Sequence, residues 1–406
     1  MSDVRIPTRE ELERIMRRGV AEIVPEPEFV EQINSGRKLR LKMGFDPTRP
    51  VITLGWAVGL RKLRQLQDLG HTVVVIIGDW TAQIGDPSGQ SQTRPMLTKE
   101  EVDGNVDAIL RQFYRFLDEG RTEIRRQSEW FNDFSLADVV RLAGRFTVAQ
   151  MLERDDFSQR FASHRPIAIH EFIYPLLQGY DSIAIEADVE FGGSDQKFNN
   201  LVGRELQSQV GQRPQSVFLV PLLVGLDGEK KMSQSLGNYV AIDAEPNDMY
   251  GKLMSMPDHV MAQYFELLTD VPDEELTDIE NGLKERSINP MEVKMRLARD
   301  IVSQFHSAEA ARQSEEEFVR TFRRRELPEE VPPLAVKLED GASRVDITGL
   351  LAEMGVVGSR SAAKRLLNQR AIEIDGKTIE EPQVELHAGE ILRVGKHRFL
   401  RVVAAQ

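Results

Sequence analysis

An α/β fold with a parallel sheet of the nucleotide-binding kind is predicted by three stretches near the start of this 406-residue chain. "KLRLKMGFD" (38–46) alternates and then meets Gly-Phe-Asp-Pro, the pattern of a strand that ends in a turn. "AVGLRKLRQLQDLG" (57–70) carries apolar residues at helical spacing and closes on Gly70, a C-cap. "HTVVVIIGDW" (71–80) is a β-branched run of the sort buried on both faces of a parallel sheet. Strand, helix and strand with short connections form a βαβ unit, and its right-handed crossover is half of a Rossmann-type domain.

The remaining elements follow in order. Residues from about 100 to 175 read as a mainly helical insertion between the two halves of the sheet. "SVFLVPLLVGLDG" is a further buried strand leaving the sheet into a loop. The domain therefore runs over 1–245, and a helical domain follows over 246–325. "RRRELPEEVPPLAVKLEDGAS" is charged and Pro-rich, so 326–343 read as a linker. Beyond it, 344–406 suggest two helices and short strands, a small α+β domain.

Composition narrows the function. Apolar residues make up 41 % and charged ones 29 %, the profile of a globular protein. No apolar run reaches membrane-spanning length, and the charged amphipathic N-terminus is not a signal peptide, so no membrane is expected and the cytoplasm is the default. Zero cysteines exclude disulfides and thiolate metal sites, and seven scattered histidines give no ligand cluster, so no metal site is expected. A net charge of −13 argues against broad electrostatic binding to nucleic acid. The tail differs: from Arg344 to Gln406 ten Lys and Arg meet eight Asp and Glu, a balance of +2 that leaves −15 on the rest. That fits a local RNA-contacting module, or nothing at all.

Four clusters carry chemistry. Gly44, Asp46, Thr48 and Gly55 lie between strand and helix, where backbone N–H groups and the helix dipole suit a phosphate; an ordinary turn is the bland alternative. Asp86, in "IGDPSG", stands where a turn carboxylate faces the ligand crevice, or simply caps the turn. Tyr174, Gln178 and Asp181, spaced by four and three, share one helix face and can hold an ammonium or hydroxyl group. The alternative is a solvated face. Asp195 and Gln196 in "FGGSDQ" offer a polar loop of the same kind. Lys230, Lys231, Met232, Ser233 and Gln234 form a Gly-flanked loop able to fold over a polyphosphate, or a charged hairpin.

In this order and at these separations, "GFDPT", "RKLRQLQDLGH", "IGDPSG", "YPLLQGYD", "GGSDQ", "LVGLDG" and "KMSQS" make the chain resemble bacterial tyrosyl-tRNA synthetases, class I aminoacyl-tRNA synthetases, nearly end to end. The last sixty or so residues resemble the S4-type RNA-binding domain of that family. The resemblance implies that L-tyrosine and ATP, with Mg²⁺ accompanying ATP, give tyrosyl-adenylate, and that the tyrosyl group passes to tRNA(Tyr). It implies Tyr174, Gln178 and Asp86 at the α-amino group, Asp181 at the phenolic hydroxyl, Gln196 near the carboxylate, and Lys42 within the same pocket. On the ATP side it implies Gly44, Asp46, Gly55, Trp56, Asp195, Lys230, Met232 and Ser233, with Lys231, Thr48, Thr53 and Gln234 in catalysis. Arg360, Lys364, Arg365 and Arg370, on or beside "SRSAAKRLLNQR", are implied for tRNA or other structured RNA. A homodimer through the helical insertion is also implied.

The chain departs from the family on one side. Where His-x-Gly-His is usual, it has Thr53-Leu54-Gly55-Trp56; Gln234 replaces the second lysine of Lys-Met-Ser-Lys-Ser; and Gln90 and Gln92 stand where an Arg and a Lys are common. Losing one donor aimed at developing charge costs ~10²–10³ in rate. Two readings follow: a ligase with impaired or altered ATP handling, or a non-adenylating paralogue that binds tyrosine and structured RNA.

Overall fold

The structure, a computed structural model, describes residues 4–86, 98–323, 331–338, 342–395 and 398–405. Gln90 and Gln92 lie outside the described residues. Two compact units divide the chain: Met1–Glu245 with Lys252–Ser307, and Pro246–Gly251 with Ala308–Gln406. By compactness, most of the helical stretch after 245 thus belongs with the sheet.

The first unit is built on strands β1 (Glu22–Val24), β2 (Arg40–Phe45), β3 (Thr72–Ile77), β4 (Thr122–Arg126), β5 (Val189–Gly193) and β6 (Ser216–Val220), in the order β1-β6-β5-β2-β3-β4. Pairings among β2 to β6 are parallel; short β1 runs antiparallel to β6 at one edge. After edge strand β1 the parallel part starts at the middle with β2, steps outward to β3 and β4, then crosses back to β5 on the other side. That reversal opens a crevice at the carboxyl ends of β2 and β5, the place where such sheets bind ligands.

β3 is buried at every position, as its β-branched run requires. β4 lies inside the stretch expected to be mainly helical. Its sequence, TEIRR, hides it: all five residues are half-buried, and the charges are absorbed by Arg40–Glu123 and Arg125–Glu129 pairs, which suits an edge strand. The crossover helix Leu54–Asp68 buries Leu54, Ala57, Leu60, Leu63 and Leu66. Helices Ile169–Ala184 and Lys197–Gln209 meet at glycines: a Cβ on Gly179 would stand 2.9 Å from Leu206 and 3.1 Å from the Gly203 nitrogen.

The second unit holds a five-stranded sheet, a two-stranded one, and helices Ile347–Glu353 and Arg360–Asn368 around a core that includes Leu334, Ile347, Leu351, Ala363, Ile372, Leu392 and Val402. Part of the expected linker is a strand: Pro333–Val336 pairs in parallel with Arg398–Ala404 because Leu334 and Val336 alternate into that core. Among the described residues no helix is long and apolar enough to cross a membrane.

Candidate active site

Asp46 follows β2, and its two oxygens link the crevice walls. Tyr174 OH donates to Oδ2 at 2.8 Å, and Thr81 Oγ1 to Oδ1 at 2.7 Å. Gly78, just past β3, makes the room: a Cβ there would lie 2.2 Å from Asp46 Oδ1 and 2.4 Å from Thr81 Oγ1. Thr81 also donates its backbone N–H to Gln127 Oε1 at 2.9 Å. That fixes the carboxamide so that Gln127 Nε2 donates to Asp181 Oδ2 at 2.8 Å, while Trp130 Nε1 donates to Oδ1 at 3.2 Å. A polar chain Tyr174–Asp46–Thr81–Gln127–Asp181 therefore joins two residues of one helix from outside it.

Electrostatics differ along that chain. Asp181 is 1 % exposed. Burial pushes its carboxyl up to about 7, while Lys42 and the two N–H donors pull it down. Burial, with Asp46, Asp86 and Asp181 adding, raises the Tyr174 phenol well above its ordinary value, so it stays a neutral donor.

Lys42 is fully buried behind the same helix. Its Nζ donates to the Gln178 carbonyl and to Ser182 Oγ, both at 2.7 Å, and pairs with Glu190 at 2.9 Å. The ammonium is thus spent beneath the pocket wall, where it holds the turn that carries Gln178. Asn199 Nδ2 ties the remaining polar groups together, donating to Gln178 Oε1 at 3.1 Å and Gln196 Oε1 at 3.0 Å. Gln196 Nε2 in turn donates to Asp86 at 2.9 Å.

The opposite wall is built from the turn after β2 and the lysine loop. Thr48 N–H donates to the Asp46 carbonyl at 2.7 Å. Gly44 has open space where a Cβ would stand. Thr53 precedes the crossover helix in extended conformation, and its hydroxyl makes no capping bond. Gly55 abuts the loop, a Cβ there lying 3.7 Å from Met232 Cβ. The half-buried Trp56 indole rests on Phe45, ring centres 4.6 Å apart. In the loop, Lys231 pairs with Asp195, the Gln234 carboxamide donates to the Val51 carbonyl, Ser233 caps a short turn, and Lys230 is exposed.

In the second unit Arg360, Lys364, Arg365 and Arg370 are all exposed. Arg360 pairs with Asp346, and Arg370 with Glu380 at 3.1 Å.

The sequence reading missed Thr81, Gln127, Trp130, Asn199 and Glu190. Gln127 and Trp130 follow the charged edge strand and carry no periodic signal. Asn199 and Asn200, adjacent and buried inside a helix, were a usable clue, because asparagine favours helix interiors poorly unless its amide is engaged.

A switch-point crevice of a parallel sheet, with a hydrogen-bonded cluster of phenol, amides and carboxylates on one wall and a glycine turn with a lysine loop on the other, is the build of a class I aminoacyl-tRNA synthetase. The family described as tRNA synthetases class I (W and Y) matches residues 34–323, and the S4 domain family matches 350–392. A tyrosine–tRNA ligase of Dehalococcoides mccartyi is 51 % identical over 392 residues, 97 % of this chain and 98 % of that protein. One from Thermotoga maritima is 50 % identical over 397 residues, with 97 % and 98 % covered. The crystal structure of tyrosyl-tRNA synthetase from Archaeoglobus fulgidus complexed with L-tyrosine superposes with a TM-score of 0.61 at 25 % identity, over 75 % of this chain and 99 % of that one. The chain belongs to the tyrosine–tRNA ligase family of class I synthetases.

Proposed function

We propose that the protein activates L-tyrosine with ATP to tyrosyl-adenylate and transfers it to tRNA(Tyr), with altered ATP handling. Asp181 carries this reading. A carboxylate 1 % exposed, held by two N–H donors at the far end of a helix face from Tyr174, suits a phenolic hydroxyl. A substrate lacking that hydroxyl leaves a buried acceptor short of a partner, which costs ~1–3 kcal/mol or more. Tyr174, Gln178 and Asp86 receive the α-amino group, Gln196 lies toward the carboxylate, and Lys42 acts from behind.

On the ATP wall, Gly44 and Gly55 let backbone approach the phosphates, with Thr48, Thr53, Lys230, Lys231 and Ser233 as donors. Mg²⁺ enters as part of the ATP substrate. Altered handling is supported by where the replaced groups point. Trp56 packs on Phe45 and Gln234 bonds Val51, so both are engaged by the protein. Each lost charge-directed donor is worth ~10²–10³ in rate. The same contacts favour the second reading, a non-adenylating paralogue that binds tyrosine and structured RNA.

The reading extends to a homodimer in the cytoplasm. Leu136, Val148, Phe161 and Ile169 of the insertion are 80 %, 63 %, 64 % and 77 % exposed, apolar surface that supports a symmetric contact. Arg360, Lys364, Arg365 and Arg370 suit RNA phosphates.

Tyrosine-dependent ATP–pyrophosphate exchange separates the readings. Exchange above a blank is expected, and Thr53→His with Trp56→His and Gln234→Lys should raise it by ~10²-fold or more. Tyrosine uptake by calorimetry without any exchange would sink the ligase reading and leave the paralogue.

A further inference from the structure

Away from the crevice, helices Arg9–Arg17, Leu54–Asp68 and Met261–Leu268 converge on a cleft of about 400 Å³, its mouth included. Val58, Arg61, Lys62 and Gln65 share one helix face there, and Arg14 and Arg18 stand four apart opposite. Four cationic side chains thus meet only the carboxylates of Glu266 and Asp270 along the lining, in a chain of net charge −13.

Two of the cations are spent. Arg18 donates to the Thr269 carbonyl at 3.0 Å and to Asp273 at 2.9 Å; Arg61 donates to Asp270 and Gln304, each at 2.6 Å. Lys62 is different. It is 6 % exposed, and its Nζ donates to two neutral acceptors, the Ile15 carbonyl at 3.0 Å and Gln65 Oε1 at 3.2 Å. A third N–H is left over. Among the described residues no carboxylate pairs with Lys62, and none pairs with the Arg14 guanidinium.

We infer that this cleft binds a small tetrahedral oxyanion of the phosphate or pyrophosphate class between Lys62 and Arg14. A buried charge without a counter-ion is costly, and an oxyanion supplies both the charge and the acceptor for the spare N–H. Consistent with that gap, burial and then the like charges of Arg18, Arg61 and Arg14 lower Lys62 to about 7, with Glu266 opposing. A bound anion lifts it again, so binding takes up a proton when the free lysine is neutral. This site is independent of the ligase reading.

Calorimetric titration of the full-length protein with sulfate, which keeps its charge across the range, tests it, with phosphate and pyrophosphate as parallel arms. Saturable uptake is expected, about tenfold or more weaker at about pH 8.5 than at about pH 6 as Lys62 loses its proton. Lys62→Met and Arg14→Gln should each weaken it by about tenfold. Should Lys62→Met fail to fold, Arg14→Gln, altered only at an exposed side chain, decides alone. No saturable uptake of any of the three anions, uptake untouched by Arg14→Gln, or binding seen only with RNA would overturn the inference.

Discussion

Asp181 holds its proton up to about pH 7 when folded, against an ordinary 3.8, because burial outweighs the Lys42, Gln127 and Trp130 contributions. The folded state therefore binds more protons than the unfolded chain between those values, and stability falls as pH rises through that window. For a shift of this size the loss is roughly 4 kcal/mol. Asp181→Asn removes the titration, so urea midpoints of variant and parent should diverge in the variant's favour from about pH 4 to about pH 7. Parallel midpoints across that range would show that the carboxyl is not held as described. Trp56 teaches a different lesson at this scale. Its identity signals a departure from His-x-Gly-His, but its resting place on Phe45 depends on a ring contributed by β2.

Among elements, the turn after β3 does the joining. Gly78 admits Asp46, and Asp46 carries both Tyr174 and Thr81. Gly78→Ala forces one of these oxygens away, an overpacking that costs ~1–3 kcal/mol. Tyrosine affinity by calorimetry should drop along with the denaturation midpoint; an unchanged affinity would mean that the Asp46 bridge does not shape the pocket. The helix Ile169–Ala184 was legible because its polar face repeats at four and three. The partner segment after β4 was not, since a charged edge strand lacks the alternation that marks a half-buried one. Half of this crevice wall was therefore visible, and the half that orients Asp181 was hidden.

Over the whole molecule, the exposed apolar side chains of the insertion predict association. Leu136→Asp with Ile169→Asp, both highly exposed and neither among the crevice groups, should convert a dimer into a monomer in sedimentation equilibrium. A parent protein that sediments as a monomer, or a variant that does not dissociate, would remove the dimer from the proposal.

Sequence alone determined the sheet class, the family, and the helix face of Tyr174, Gln178 and Asp181. These are written in local patterns: β-branched runs, helical spacing and short motifs whose chemistry is carried by neighbours in the chain. Tertiary structure decided the rest. It set Lys42 behind the pocket, engaged Gln234 on Val51, recruited Gln127 and Trp130 to Asp181, and gathered Arg14 and Lys62 around one cleft. Each of those contacts joins side chains distant along the chain, and a buried polar atom takes whichever partner the packing brings within reach, which no local pattern encodes.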